Sequence, residues 1–408
     1  MPWEVSGVLQ QRSRFVAAYE SGDWTMSELC RQFGISRKTG YKILGRWTAQ
    51  AAAGLEDRSR APHTHPNQTP QKRIEQILSV RQAHPSWGPR KLRAWLAERH
   101  PTVSWPALST IGTLLQQRGL ASPRVSQRRT PRFTEPFGAA QTANDTWCVD
   151  FKGWFRTGNG TRIDPFTMTD AASRYLLRCQ VVDKTDTQTV AAICRAAFRQ
   201  YGLPRAIRSD NGAPFASSAI AGLSRLSVEW IKLGIVPERI VPGHPEQNGR
   251  HERMHRTLKA ETANPPAANR VRQQKVFDHF RAVYNEERPH EALGMKTPAT
   301  HYQNSPRRCP EHIPEPEYDS GLVVRRVAPY GQFFWEGKDI FLTKVLAGER
   351  IALEQVDEQI YLVLFAALPI ACFDTATASI SNLPPPEPDQ KPPSAGDGNQ
   401  EIAKYAIP

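Results

Sequence analysis

Four acidic positions stand out for what surrounds them. Asp150 lies in Trp147-Cys148-Val149-Asp150-Phe151, an apolar and aromatic stretch of strand character, where burying a carboxylate is costly unless it is paired, hydrogen-bonded or bound to a metal ion. Asp210 closes the short strand-like run Ile207-Arg208-Ser209 and precedes Asn211-Gly212, a turn that leaves its carboxylate at the strand's end. Further on, Glu246 and Glu252 stand at the start of a helical run from Gln247 to about Ala263. Taken singly, each acid has a structural reading: a buried Asp bonded to backbone, an ordinary Asp-Asn-Gly turn, a favourable charge at a helix N-terminus. Taken together they offer metal chemistry. Magnesium takes hard oxygen ligands and keeps several waters, so two or three carboxylates from different elements are sufficient. Two such ions, about 3.5 to 4 Å apart, neutralise charge on the attacking and leaving oxygens when a phosphodiester is cleaved or exchanged.

The charge balance suits such a substrate. Against 40 Asp and Glu the 408 residues hold 53 Lys and Arg, a formal charge of +13, which implies a polyanionic partner and points to nucleic acid. No basic amphipathic helix or lipidation signal favours a membrane surface instead. The N-terminal MPWEVSGVLQQRSRF lacks a charged head followed by an apolar stretch, so it is not a secretory signal, and a cytoplasmic, nucleoid-associated protein is expected. The longest apolar run, Ile360 to Phe373, is interrupted by Pro369 and is too short to span a bilayer; it reads as buried strand. The six cysteines include no CxxC pair and read as buried thiols. His63 and His65 sit in a Pro-rich stretch without a Cys partner, as in a solvated linker and not a zinc site.

The elements that would position the acids follow from periodicity. Between Ser6 and about Ala53 apolar residues recur at helical spacing, broken at Ser21-Gly22-Asp23 and Gly34-Ile35-Ser36. Three short helices result, with Ser36 capping the third, so the block reads as a helix-turn-helix or as a plain three-helix unit with a basic face. In the first reading Arg37, Lys38, Tyr41 and Lys42 enter a DNA groove, while Gly40 carries a propensity cost inside its helix. Helical runs Gln71 to His84, Pro89 to His100 and Pro106 to Arg118 form a second small module. The segment after it carries Arg124, Arg128, Arg129 and Arg132 with no acid, a solvated linker that would track phosphates beside DNA-binding neighbours. Mixed α/β pattern runs through the middle of the chain: three antiparallel strands, a helix from Thr187 to Tyr201, the strand before Asp210, a strand near Glu238 to Val241, and two further helices. From about Gly321 to Phe373 short alternating strands predict a small β-barrel of SH3-like size, and the Pro-rich stretch beyond Thr375 reads as a disordered tail. The expected fold class is therefore multidomain: N-terminal all-α helix-turn-helix modules, a central α/β mixed-sheet core and a C-terminal small all-β barrel. The expected boundaries are 1–60, 61–122, a basic linker 123–141, the core 142–305, the barrel 320–375 and the tail 376–408.

In this order, WCVDFKGWF, RSDNGAPF, GHPEQNGRHERMHRTLK and YNEERPHEAL resemble the catalytic core of DDE-type insertion-sequence transposases and retroviral integrases over roughly Thr142 to Tyr302. The resemblance implies an RNase H-like fold in which three acids bind two Mg²⁺, with Mn²⁺ as substitute. By it Asp150 matches the first acid and Asp210 the second. For the third, Glu246 follows Asp210 after 35 residues and Glu252 after 41. The shorter interval is the one for which the family is described, but its motif of Pro, Gly and catalytic Glu falls on Pro245, Gly249 and Glu252, so Glu252 is chosen and the extra residues are assigned to loops between Ser217 and Val241. Glu252, Arg256 and Lys259 share one helix face while Met254 and Leu258 share another. His251 and His255 are an i, i+4 pair that reads as packing or phosphate contact in preference to zinc. Asp170 stands where the family often has an acid that is not a ligand and reads as structural, and Asp164 and Asp183 read as turn residues. The likeness implies cleavage at transposon ends, transfer of the freed 3′-hydroxyl to target DNA, and at least a dimer on DNA. A DNA-binding regulator or inactive relic, and a plain RNase H-like nuclease, are the competing readings.

Overall fold

The computed structural model describes residues 7–57, 68–121, 140–240 and 249–383. The chain divides into two compact units, Met1–Thr69 and Pro70–Pro408.

The first unit is built from α1 (Val8–Glu20), α2 (Met26–Gln32) and α3 (Arg37–Gln50). Two caps set its turns. Thr25 and Glu28 form a reciprocal capping box at the start of α2, and Ser36 accepts the Thr39 backbone N–H at the start of α3. Gly34, at φ +63°, makes the left-handed turn between them. Phe15, Val16, Leu29, Cys30, Ile43 and Leu55 close the core. Gly40 is buried on α3, and a Cβ there would stand 2.6 Å from Cys30 Sγ and 2.9 Å from Met26 Sδ. Its helix-propensity cost is thus offset by the close approach of α2 to α3.

In the second unit α4 (Gln71–Ala83), α5 (Pro89–Arg99) and α6 (Leu108–Gln117) enclose Ile77, Trp87, Leu92, Leu96, Ile111 and Leu115. This helical block meets the α/β core through polar groups: Arg288 pairs with Glu261 at 2.7 Å, and Ser86 hydrogen-bonds both.

The core sheet contains β1 (Thr146–Phe151), β2 (Phe155–Arg156), β3 (Arg162–Asp170), β4 (Leu176–Val182), β5 (Ala206–Ser209) and β6 (Val236–Arg239). Its order is β4-β3-β1-β5-β6, with β2 also on β3; β1, β3 and β4 pair antiparallel, while β1, β5 and β6 pair parallel. Period-two alternation splits the β1 side chains between two layers. Trp147 and Val149 pack with α7 (Thr187–Tyr201) and α8 (Arg225–Lys232). The opposite face is covered by α9 (Gly249–Thr262) and α10 (Arg270–Ala282), through Met254, Leu258, Phe277 and Phe280. Each such side chain contributes roughly 1.5 to 3 kcal/mol on burial. Asp164, read from the sequence as a turn residue, lies instead within β3 opposite Val182. Asp183 stands at the turn after β4 and pairs with Arg270.

The C-terminal strands are β7 (Val323–Arg326), β8 (Gln332–Trp335), β9 (Lys338–Phe341), β10 (Arg350–Gln355), β11 (Ile360–Phe365), β12 (Leu368–Asp374) and β13 (Ser379–Ser381). They do not form the expected closed barrel. An antiparallel sheet of order β13-β12-β11-β10-β7 stands beside a separate β8-β9 hairpin, with no ladder joining the two. The hairpin lies against β7 and β13 and buries Phe333 and Ile340 on Ile351, Val363 and Phe373, so the sheet is closed over by packing and not by hydrogen bonds. The run from Ile360 to Phe373 is two strands, not one: Ala366 takes a left-handed φ of +50°, and Pro369 sits where the β11-β12 register shifts, the kind of place where a strand tolerates a residue without N–H.

Candidate active site

Two central strands bring the first two acids together. In the parallel β1-β5 pair Thr146, Trp147 and Cys148 stand level with Ala206, Ile207 and Arg208. Two residues beyond the last paired positions, Cys148 and Arg208, stand Asp150 and Asp210, near enough for the second carboxyl to act on the first. The Gly212 backbone N–H donates to Asp210 Oδ1 at 3.1 Å and fixes the turn that follows. Glu252 occupies the exposed side of the first turn of α9. The acids feel one another: the Asp150 carboxyl is pushed up to about 7, first by burial, then by repulsion from Asp210, with Glu252 adding to it and a Phe151 backbone hydrogen bond and the Lys152 charge opposing.

The inward side of α9 holds Asp150 from behind. Thr167 is the cross-strand partner of Asp150, and its hydroxyl donates to the Asp150 backbone carbonyl at 3.1 Å. His251 Nε2 and His255 Nε2 each lie 2.7 Å from that same hydroxyl, and His251 Nδ1 lies 2.9 Å from Thr169 Oγ1. His255 Nδ1 faces Asp150 Oδ2 at 3.8 Å. Burial lowers the His251 pKa to about 3. For His255 burial, with the His251 and Lys152 charges, lowers it to about 2, so both rings are neutral at working pH. Asp150, His251 and His255 place ligand atoms within 4.8 Å of one another. Both nitrogens of His251 are engaged by threonines, however, which makes it a brace and not a ligand. Facing Asp150 are then the His255 Nδ1 atom and the carboxylates of Asp210 and Glu252.

Arg256 and Lys259 are exposed on the same side of α9 as Glu252, while Met254 and Leu258 are buried beneath. In the first unit Arg37, Lys38, Tyr41 and Lys42 are all exposed on the opening turns of α3. Glu246 and the linker residues Arg124, Arg128 and Arg129 lie outside the described residues. Asp170 is fully buried at the end of β3, where it accepts from Ser173 N–H, Ser173 Oγ and Asn144 N–H at 2.6 to 2.7 Å, a structural role. Sequence reasoning missed Thr167 and Thr169. The available signal was Thr-x-Thr on a strand, whose side chains share a face, set against His-x₃-His on a helix. Four cysteines are buried and two half-buried, all as free thiols.

An integrase core domain matches residues 140–245, and a second integrase core domain matches 233–298. A helix-turn-helix domain matches 11–63 and a homeodomain-like domain 39–115. The transposase InsD of an Escherichia coli insertion element is 25% identical over 67% of this chain and 90% of its own length. The chain is an insertion-sequence transposase with an integrase-like core. Another relative of this transposase, an uncharacterized 39.2 kDa protein of insertion element IS476 from Xanthomonas euvesicatoria, is 28% identical over 67% of the chain and 77% of its own length. The catalytic core domain of BIV integrase, as a crystal structure, is 21% identical over 38% of this transposase and 92% of that chain, with a TM-score of 0.30. Among the described residues no helix of the transposase is long and apolar enough to cross a membrane.

Proposed function

We propose that this transposase cleaves DNA at the ends of its element and joins the freed 3′-hydroxyl to target DNA by direct transesterification, with Asp150, Asp210 and Glu252 as its catalytic acids. The observation that carries the reading is the convergence of Asp210, at the end of β5, and Glu252, on α9, on the half-buried Asp150 carboxyl of β1. Such a set calls for cations, and two Mg²⁺, or Mn²⁺ in their place, would supply charge neutralisation on the attacking and leaving oxygens. Asp150 and Asp210 hold the site from the sheet and Glu252 closes it from α9. Thr167, on the Asp150 backbone carbonyl, and His255, 3.8 Å from its carboxylate, position that residue from behind. Arg256 and Lys259 meet phosphates flanking the scissile bond. Arg37, Lys38, Tyr41 and Lys42 read the element's ends, Arg124, Arg128 and Arg129 track the backbone between, and two ends are held by at least a dimer. The division into modules 1–60, 61–122, 142–305 and 320–375 belongs to the same proposal.

The test is cleavage and joining of a labelled duplex carrying the native element's end, with Mg²⁺, by wild type, Asp210→Asn, Glu252→Gln and Glu246→Gln. Loss with the first two substitutions alone is expected. Loss with Glu246→Gln and not Glu252→Gln would move the third acid. DNA binding without metal-dependent turnover in any of the four proteins would favour a regulator or relic.

A further inference from the structure

Immediately beyond Asp150, β1 gives way to a loop that exposes an indole. Trp154 is 56% exposed. It lines a cavity of about 260 Å³ with Lys152, Gly153, Phe155, Pro165, Leu258, Lys259 and Thr262. Two lysines and no acid are in that lining. Phe155, Pro165 and Leu258 give it apolar walls, and Lys259 closes one side from the exposed face of α9. The loop is held in place: the Lys152 backbone N–H donates to the Pro165 carbonyl at 2.9 Å, and Gly153 hydrogen-bonds Asp164 through its backbone. The Arg162 guanidinium stands 4.8 Å from the centre of the indole and is not part of the lining, so it supports the ring from outside the cavity. From Asp150 to Lys152 the strand rises about 7 Å, and from Glu252 to Lys259 the helix rises about 10 Å. The cavity therefore lies two to three nucleotide steps of about 3.4 Å from the acids.

We infer that this cavity receives a nucleobase turned out of the DNA strand beside the scissile phosphate, stacked on Trp154, with Lys152 and Lys259 on the phosphates that flank it. The inference deepens the proposed function and rests on it. A flat apolar wall, an aromatic platform and cations at the rim are the components that bind unpaired bases with little regard to sequence.

The experiment uses the full chain and a labelled duplex carrying the element's end, blunt or with a short unpaired extension, and the same duplex with 5-iodo-deoxyuridine at successive terminal positions. Wild type is expected to bind the extended duplex more tightly than the blunt one and, on irradiation, to give an adduct on the tryptic peptide Gly153 to Arg156. Trp154→Ala should lose roughly ten-fold in affinity for the extended duplex and little for the blunt one. Trp154→Phe should keep most of the preference, which separates stacking from a folding defect. Equal loss on both duplexes, no loss, or an adduct confined to other peptides overturns the base site and leaves the transposase reading standing. Wild type that binds neither duplex overturns both.

Discussion

Asp150 and Asp170 stand on paired strands of one sheet, and burial raises the pKa of each. Their surroundings then part. Three donors, from Ser173 and Asn144, converge on Asp170 and stabilise its charge. Asp150 has two further carboxylates as neighbours, with Thr167 on its backbone carbonyl and His255 facing its carboxylate at 3.8 Å. Burial of an acid therefore does not by itself mark a functional site in this sheet; the two differ in the donors and carboxylates that surround them. One aspartate is met by donors from the fold, and the other shares its surroundings with two more carboxylates.

Exchange of the two acids breaks this comparison most sharply. Asp150→Asn should lower strand cleavage by on the order of 10³-fold or more, since metal neutralisation accounts for several kcal/mol of the barrier. The same change should raise the stability of the metal-free chain, because it removes a carboxylate whose charge burial and then repulsion disfavour. Asp170→Ala should do the reverse, costing roughly 2 to 4 kcal/mol through three buried donors left without an acceptor, read as a fall in denaturation midpoint. Stability changes of the same sign in the two variants would sink the distinction.

A pH series sharpens it. Between about pH 4 and pH 7 the unfolded chain ionises Asp150 while the folded, metal-free chain keeps it protonated, so stability from this group is lost as pH rises through that window. The buried histidines act oppositely: their depressed folded pKa values mean that stability is lost as pH falls below about 6.5. The difference between Asp150→Asn and wild type isolates the carboxyl. In chelator it should grow by a few kcal/mol from pH 4 to 7 and level off above, and Mg²⁺ should shrink it. A flat difference would show that the three acids do not repel one another in solution.

Much of this was legible in the sequence, where the physics is local. Ser36 as a cap, Gly34 as a turn, the alternation of β1 and the 3.6-residue period that sends Met254 and Leu258 inward all act over a few residues. What could not be read depends on partners far along the chain. Thr167 meets His251 and His255 across 84 and 88 residues, and nothing near Thr167 announces it. Asp164 looks like a turn residue until β4 pairs with it. Short alternating strands fix a sheet but not its closure, because closure depends on how β8 and β9 meet β7 and β13.

The Thr167 brace carries the next prediction in size. Thr167→Val removes the hydroxyl shared by both histidines at nearly constant volume and should weaken Mn²⁺ binding about ten-fold in calorimetry; unchanged affinity would reduce the network to packing. The smallest effect belongs to the solvated surface of α3. Arg37→Ala and Lys38→Ala should each weaken DNA binding several-fold and reduce the salt dependence of binding by about one unit of log–log slope. A slope equal to that of wild type would take α3 away from the DNA.

Helix α9 runs from the acids to the helical block, with Glu252 near its start and Glu261, held by Arg288 and Ser86, near its end. An α-helix of this length resists stretching and bending, so these two points stay about 13 Å apart whatever moves around them. It works as a strut. A displacement of α4 to α6 would be passed along it to Glu252, more than two helical turns away.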